Sequence, residues 1–142
     1  MYKHLLIATD GSELAQKALD QGLELAKALD AKVTIVTVTE PWHVYATAEA
    51  AVAFPIDEYE ASIEKSAHDI LAKAEAQADA GCETVHVKDG YPGDGILETA
   101  QKSACDLIVM ASHGRRGLSR LLLGSQANYV VTHSTLPVLV CR

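Results

Sequence analysis

No stretch of this chain is both long and apolar enough to cross a bilayer. A membrane helix needs about 20 largely unbroken apolar residues, and the hydrophobic residues here, 49% of the total, fall into short blocks separated by turns. Nor does the start read as a secretory leader. Met1-Tyr2-Lys3-His4 is followed by only five apolar or small residues before Asp10, too few for the apolar core of a signal peptide. Cysteine is scarce: Cys82, Cys105 and Cys141 are odd in number and share no CxxC-type spacing. That argues against a disulfide framework or a zinc site, fits a reducing compartment, and leaves the thiols as small buried hydrophobes or incidental groups. The sequence therefore predicts a soluble, cytoplasmic protein with no membrane partner.

Positive charge is also in short supply. Twelve Lys and Arg against nineteen Asp and Glu give a formal net charge of −7, which disfavours binding to nucleic acid or an anionic membrane. Three of the four arginines, Arg115, Arg116 and Arg120, nevertheless fall within six residues. Their forked donors suit phosphate or carboxylate oxygens; a solvated basic loop is the plainer reading. Several glycine signatures are absent too. There is no G-x-x-x-x-G-K-S/T, no G-x-G-x-x-G after the first strand, and no G-x-S-x-G. These absences exclude a P-loop nucleotidase, a dinucleotide fold of the usual kind and a serine-hydrolase elbow.

What is present alternates regularly. The continuous apolar run 4–9 reads as a strand covered on both faces. Ser12 then caps a helix whose Ala15, Ala18, Leu19, Gly22, Leu23, Ala26 and Leu29 recur at three- and four-residue steps. Residues 32–38 are rich in β-branched side chains and form the second strand. Residues 39–57 contain Pro41 and Pro55, lack periodicity, and form a long connection of the kind that is often functional. A helix over 58–80 ends before Gly81, and a third strand covers 83–88. A glycine-rich turn over 90–95 leads into a short helix with Ile96, Leu97 and Ala100 inward, and a fourth strand covers 106–111. After a loop over 112–124, in which Leu118, Leu121, Leu122 and Leu123 suggest a packed stretch, come a helix over 125–134 and a fifth strand over 136–141. Crossovers of this length join parallel strands and place helices on both faces. The prediction is an α/β doubly wound, five-stranded parallel sheet in the order 3-2-1-4-5, with residues 1–142 forming one domain.

Ligands of such sheets bind beyond the carboxyl ends of the strands, where the winding reverses. The polar and glycine residues collect there: Asp10-Gly11 after strand one, Val38-Thr39 at the end of strand two, and Ala111-Ser112-His113-Gly114 after strand four. The last helix opens at Gly124-Ser125, and its free N–H groups and positive dipole end suit an anion. Each piece alone is an ordinary turn or cap; together they make an anion pocket beside a carboxylate.

The chain resembles the universal stress protein family over its full length. The resemblance rests on Thr9-Asp10-Gly11-Ser12, on the strand Cys105–Met110, on Ser112-His113-Gly114-Arg115-Arg116-Gly117, on Leu123-Gly124-Ser125, and on the closing Pro137-Val138-Leu139-Val140. Nucleotide-binding members carry G-x-x-G-x9-G-S/T. Gly114, nine further residues, and Gly124-Ser125 match it, while Ala111 stands at the first glycine. The resemblance implies an ATP- or AMP-binding stress-response regulator, with Mg²⁺ able to accompany the nucleotide. It implies that Asp10 faces the ribose and that Val38 meets the adenine edge through its backbone. Met110, Ala111 and Gly114 would line the ribose and phosphate path, with Arg115 beside them. Gly124, Ser125 and the amide of Gln126 would hold the phosphates. It also implies a homodimer paired through the last strand, whose apolar edge would otherwise be exposed.

No residue pair points to a committed catalyst. His113 reads as packed in a turn rather than as an acid or base, and Asp10 alone is no all-protein metal site. The expectation is binding rather than turnover, with slow ATP hydrolysis compatible. The alternative is a dimeric interaction protein of the same fold without nucleotide, supported by Ala111. An adenylating ligase would carry a Ser-Gly-Gly-x-Asp-Ser loop after strand one, where this chain has Asp10-Gly11-Ser12-Glu13.

Overall fold

A computed structural model describes residues 1–41, 55–78, 81–114 and 123–142. In chain order these form β1 (His4–Ala8), α1 (Glu13–Leu29), β2 (Lys32–Thr39), α2 (Ile56–Gln77), β3 (Glu83–Lys88), α3 (Pro92–Lys102), β4 (Leu107–Ala111), α4 (Ser125–His133) and β5 (Val138–Cys141). All four strand pairings are parallel and the order across the sheet is β3-β2-β1-β4-β5. The predicted fold class is thus the observed one.

Alternation along the central strands divides the core into two layers. Leu5, Ile7, Ile35, Leu107 and Val109 pack with Ala15, Ala18, Leu19 and Ala26 of α1 and with Leu71 and Ala74 of α2. Leu6, Ala8, Val36, Ile108 and Met110 pack with Ile96 and Ala100 of α3 and with Ala127 and Val130 of α4. Being covered on both faces is why β1 and β4 read as unbroken apolar runs. Cys105 and Cys141 are buried and free, as expected, and Cys82 is half-buried. Burial pushes the Cys105 thiol up to about 11, so it stays a protonated hydrophobe. Among the described residues no helix is long and apolar enough to cross a membrane.

Element ends differ from the sequence reading in ways that have causes. α2 starts two residues before 58, at Ile56, because Pro55 can stand at an N-cap without losing a bonded N–H. It ends at Gln77 rather than 80, with Ala78 as its cap in extended conformation. Gly81, at φ +61°, therefore shapes the connection to β3 rather than the helix stop. The larger difference is α3, which begins at Pro92 and takes Gly93 and Gly95 into its first turns instead of leaving them in a loop. Close packing explains both glycines. A Cβ on Gly95 would stand 3.0 Å from Val38 Cγ1, and one on Gly93 would stand 2.5 Å from Tyr129 Cδ1.

Candidate functional site

The winding reverses between β1 and β4, which are neighbours in the sheet but face opposite directions of crossover. The chain leaves β1 through a tight turn. Gly11 sits at φ +76°, which only glycine adopts without strain. The Ser12 N–H donates to Asp10 Oδ1 at 2.9 Å, and the Ala15 N–H donates to Ser12 Oγ at 3.2 Å. One short segment thus fixes the Asp10 carboxylate at the strand end and caps α1.

Beyond β4 the backbone closes on itself. The Ser112 N–H donates to the Cys141 carbonyl and the Ser112 carbonyl accepts from the Gly124 N–H, each at 2.7 Å. The start of α4 is therefore tied to the end of β4 and, through it, to β5. Glycine is needed at two places. A Cβ at 114 would lie 2.8 Å from Asp10 Oδ2, and one at 124 would lie 3.0 Å from the Ser112 carbonyl oxygen and 3.2 Å from His113 Cα. Asp10, Gly114, Ser112, His113 and Gly124 form one contiguous group. His113 Nδ1 lies 3.0 Å from Ser112 Oγ, and the ring is half-buried in the turn, as expected.

Gly124 is the N-cap of α4 and offers no side chain to it. The first bond back along the helix runs from the Asn128 N–H to the Gly124 carbonyl at 2.9 Å. The N–H groups of Ser125, Gln126 and Ala127 therefore precede the helix's own ladder, and Ser125 and Gln126 are exposed. This end of α4 carries the partial positive charge of the helix and offers its N–H donors beside the turn that follows β4.

The other predicted residues fall around this group. Val38, half-buried near the end of β2, presses its side chain on Gly95 of α3. Met110 and Ala111 end β4, paired with Val140 and Cys141 of β5. The Met110 side chain belongs to the core layer of α3 and α4, and the Ala111 methyl to the layer of α1. The methyl that distinguishes position 111 from glycine is thus absorbed by the core. Arg115 lies outside the described residues, as do Leu118, Leu121 and Leu122 of the same loop and Trp42 to Phe54 of the connection between β2 and α2. Among the described residues no cluster of three His, Cys, Asp or Glu side chains is placed to hold a metal ion. A shallow depression lined by Thr39, Glu40, Pro41, Tyr59, Glu60, Ile63 and Lys88 shares no residue with the predicted set.

The sequence reading assigned no role to the Gln126 side chain, to Tyr129 or to Asp94. Gln126 was named for its amide, but its side chain accepts the Gly93 N–H at 2.8 Å. The Tyr129 hydroxyl donates to Asp94 Oδ1 at 2.6 Å. No local spacing announces either contact, because each joins residues more than thirty positions apart.

The universal stress protein family model matches residues 1–142. The chain belongs to the universal stress protein family. The universal stress protein YxiE of Bacillus subtilis is 34% identical over 149 residues, covering the whole of both chains. Among solved structures, hypothetical protein MJ0577 superposes with a TM-score of 0.85 at 26% identity, over 99% of this chain and 96% of that one. A universal stress protein solved in complex with cAMP superposes with a TM-score of 0.73 at 28% identity, over 99% and 97%.

Proposed function

We propose that this universal stress protein is an adenine-nucleotide-binding stress-response regulator that takes ATP or AMP and acts by binding rather than by turnover. The observation that carries the reading is the α4 N-terminus, left without a side-chain cap and tied by Gly124 to Ser112, two residues before the Gly114 that abuts the Asp10 carboxylate. A negative ligand group gains the helix dipole and up to three N–H donors there. Asp10 accepts hydrogen bonds, as a ribose hydroxyl requires. The relative bound to cAMP supports an adenine nucleotide as the ligand class.

In this reading Asp10 takes the ribose and the Val38 backbone takes the adenine edge. Met110, Ala111 and Gly114 line the path between, with Arg115 near the phosphates. Gly124, Ser125 and the Gln126 amide hold the phosphates. A Mg²⁺ ion would arrive with the nucleotide, its charge met by phosphate oxygens, since Asp10 alone is too few ligands. The protein acts in the cytoplasm as a homodimer joined along β5, the sheet edge where Leu139 remains 38% exposed. Titration calorimetry with ATP tests the function. The wild-type chain is expected to bind with submillimolar affinity, and Gly124→Asp, which sets a carboxylate against the phosphates and a Cβ 3.0 Å from the Ser112 carbonyl oxygen, is expected to abolish binding. Absence of heat from the wild-type chain at millimolar ATP overturns it.

A further inference from the structure

The first turn of α3 meets both ends of the proposed site. On one side Gly95 lies beneath Val38, with room for no more than a hydrogen at its Cα. On the other side α4 docks through two hydrogen bonds one helical turn apart. Gln126 Oε1 accepts the Gly93 N–H, and the Tyr129 hydroxyl donates to Asp94 Oδ1. The Gly93 N–H belongs to the first turn of α3, where no intrahelical acceptor exists and where Tyr91 provides no side-chain cap. Gln126 therefore caps α3 from the neighbouring helix while its own backbone opens α4. The Tyr129 ring packs against Gly93 and stacks on His133, with ring centroids 4.0 Å apart. Its hydroxyl keeps its proton for Asp94, because that hydrogen bond pushes the phenol above its ordinary value.

A helix N-terminus stabilises an anion only when its N–H groups are held at the right place before the anion arrives. The backbone tie from Gly124 to Ser112 and the buried Ala127 and Val130 hold α4 on the sheet, and the bonds to Gly93 and Asp94 set where its first turns stand against α3. We propose that the first turn of α3 is the positioning element of the nucleotide site, with Tyr129 and Asp94 holding the phosphate-binding end of α4 in register against it. This rests on the nucleotide reading above and adds to it two residues that touch no ligand.

The assignment separates phosphate from nucleoside, because α4 meets only the phosphates. In Tyr129→Phe the ring packing stays and the hydroxyl is lost. ATP affinity, measured by calorimetry on the full chain, is expected to fall about tenfold, as for the loss of one hydrogen bond to a charged group, while adenosine affinity stays within about twofold. Asp94→Asn retains an acceptor for the hydroxyl and is expected to keep ATP affinity within about twofold of wild type. Exchange of the Gly93 amide, followed by NMR in the free protein, is expected to quicken severalfold in Tyr129→Phe and not in Asp94→Asn. Equal losses for ATP and adenosine, or no loss for either, overturn the positioning role. If the wild-type chain binds neither compound, the nucleotide reading is what fails. The Gly93 amide then decides the contact between the helices, and unchanged exchange in Tyr129→Phe overturns it.

Discussion

Gly114→Ala probes the joint between the two strand ends, and its consequence can be worked from distances. The new Cβ would stand 2.8 Å from Asp10 Oδ2, 0.6 Å short of the 3.4 Å at which ordinary contact begins. The backbone at 114 does not lie in the left-handed region, so alanine brings no φ strain of its own. Relief must come from the Asp10 carboxylate, whose Oδ1 is held by the Ser12 N–H at 2.9 Å. Turning it away surrenders a hydrogen bond to a charged acceptor, about 1.5 kcal/mol. Alanine also narrows the unfolded ensemble, which returns about 0.5 kcal/mol. The net loss in the wild-type background is about 1 kcal/mol, or a Tm lower by roughly 3 °C for a chain of this size. With Asp10→Ala in place the clash vanishes, and Gly114→Ala becomes stabilising by about 0.5 kcal/mol. Urea unfolding of the four proteins of this cycle, followed by circular dichroism, is expected to give a coupling of about 1.5 kcal/mol. Effects that add to within about 0.3 kcal/mol would refute the contact between Asp10 and Gly114.

The α1 face offers a parallel test, since a Cβ on Gly22 would lie 2.7 Å from Cδ1 of the fully buried Ile7. Gly22→Ala is expected to lose about 1 kcal/mol net in urea unfolding, the overpacking exceeding the gain in helix propensity. Ile7→Val, which deletes that Cδ1, is expected to restore stability when combined with it; a double variant weaker than both singles contradicts the packing. At the opposite end of the sheet Asp106 accepts the Lys3 N–H at 2.7 Å and the His4 N–H at 3.0 Å, joining the starts of β1 and β4. Burial alone raises its carboxyl, but these backbone donors outweigh it and hold the group below its ordinary value of 3.8. A depressed folded value means stability that is full above the unfolded value and lost as pH falls through the folded one. Asp106→Asn is therefore expected to lower stability by about 1 kcal/mol at pH 7, with the gap to wild type closing below about pH 4. A gap independent of pH contradicts the assignment.

The features legible from sequence were those written in local pattern. The apolar run Leu5–Ala8 and the run Leu107–Ala111 announced central strands because both faces of each are covered. Asp10-Gly11-Ser12 announced a turn and a cap, since glycine and short oxygen-bearing side chains each do one physical job there. What escaped was written in three dimensions. Gly93 and Gly95 read as punctuation, because a glycine that breaks a helix and a glycine that lets two elements touch look alike in sequence. Pro92, fixed for the first position of a helix, was the better guide to where α3 starts. Tyr129 gave no signal either, as its partner Asp94 lies 35 positions away. The side chain of Gln126 was hidden for the same reason, although the residue itself was placed correctly at the opening of α4.

The Gly124–Ala127 amides bear most directly on nucleotide binding, and NMR titration of labelled protein with ATP reads them one by one. The largest backbone shifts are expected at Gly124, Ser125, Gln126, Ala127 and Gly114, joined by Asp10 and Val38, with adenosine moving Asp10, Val38 and the end of β4 from Met110 to Gly114 but not the α4 amides. A titration to millimolar ATP that leaves the α4 amides still, or that moves a different surface, would contradict this expectation.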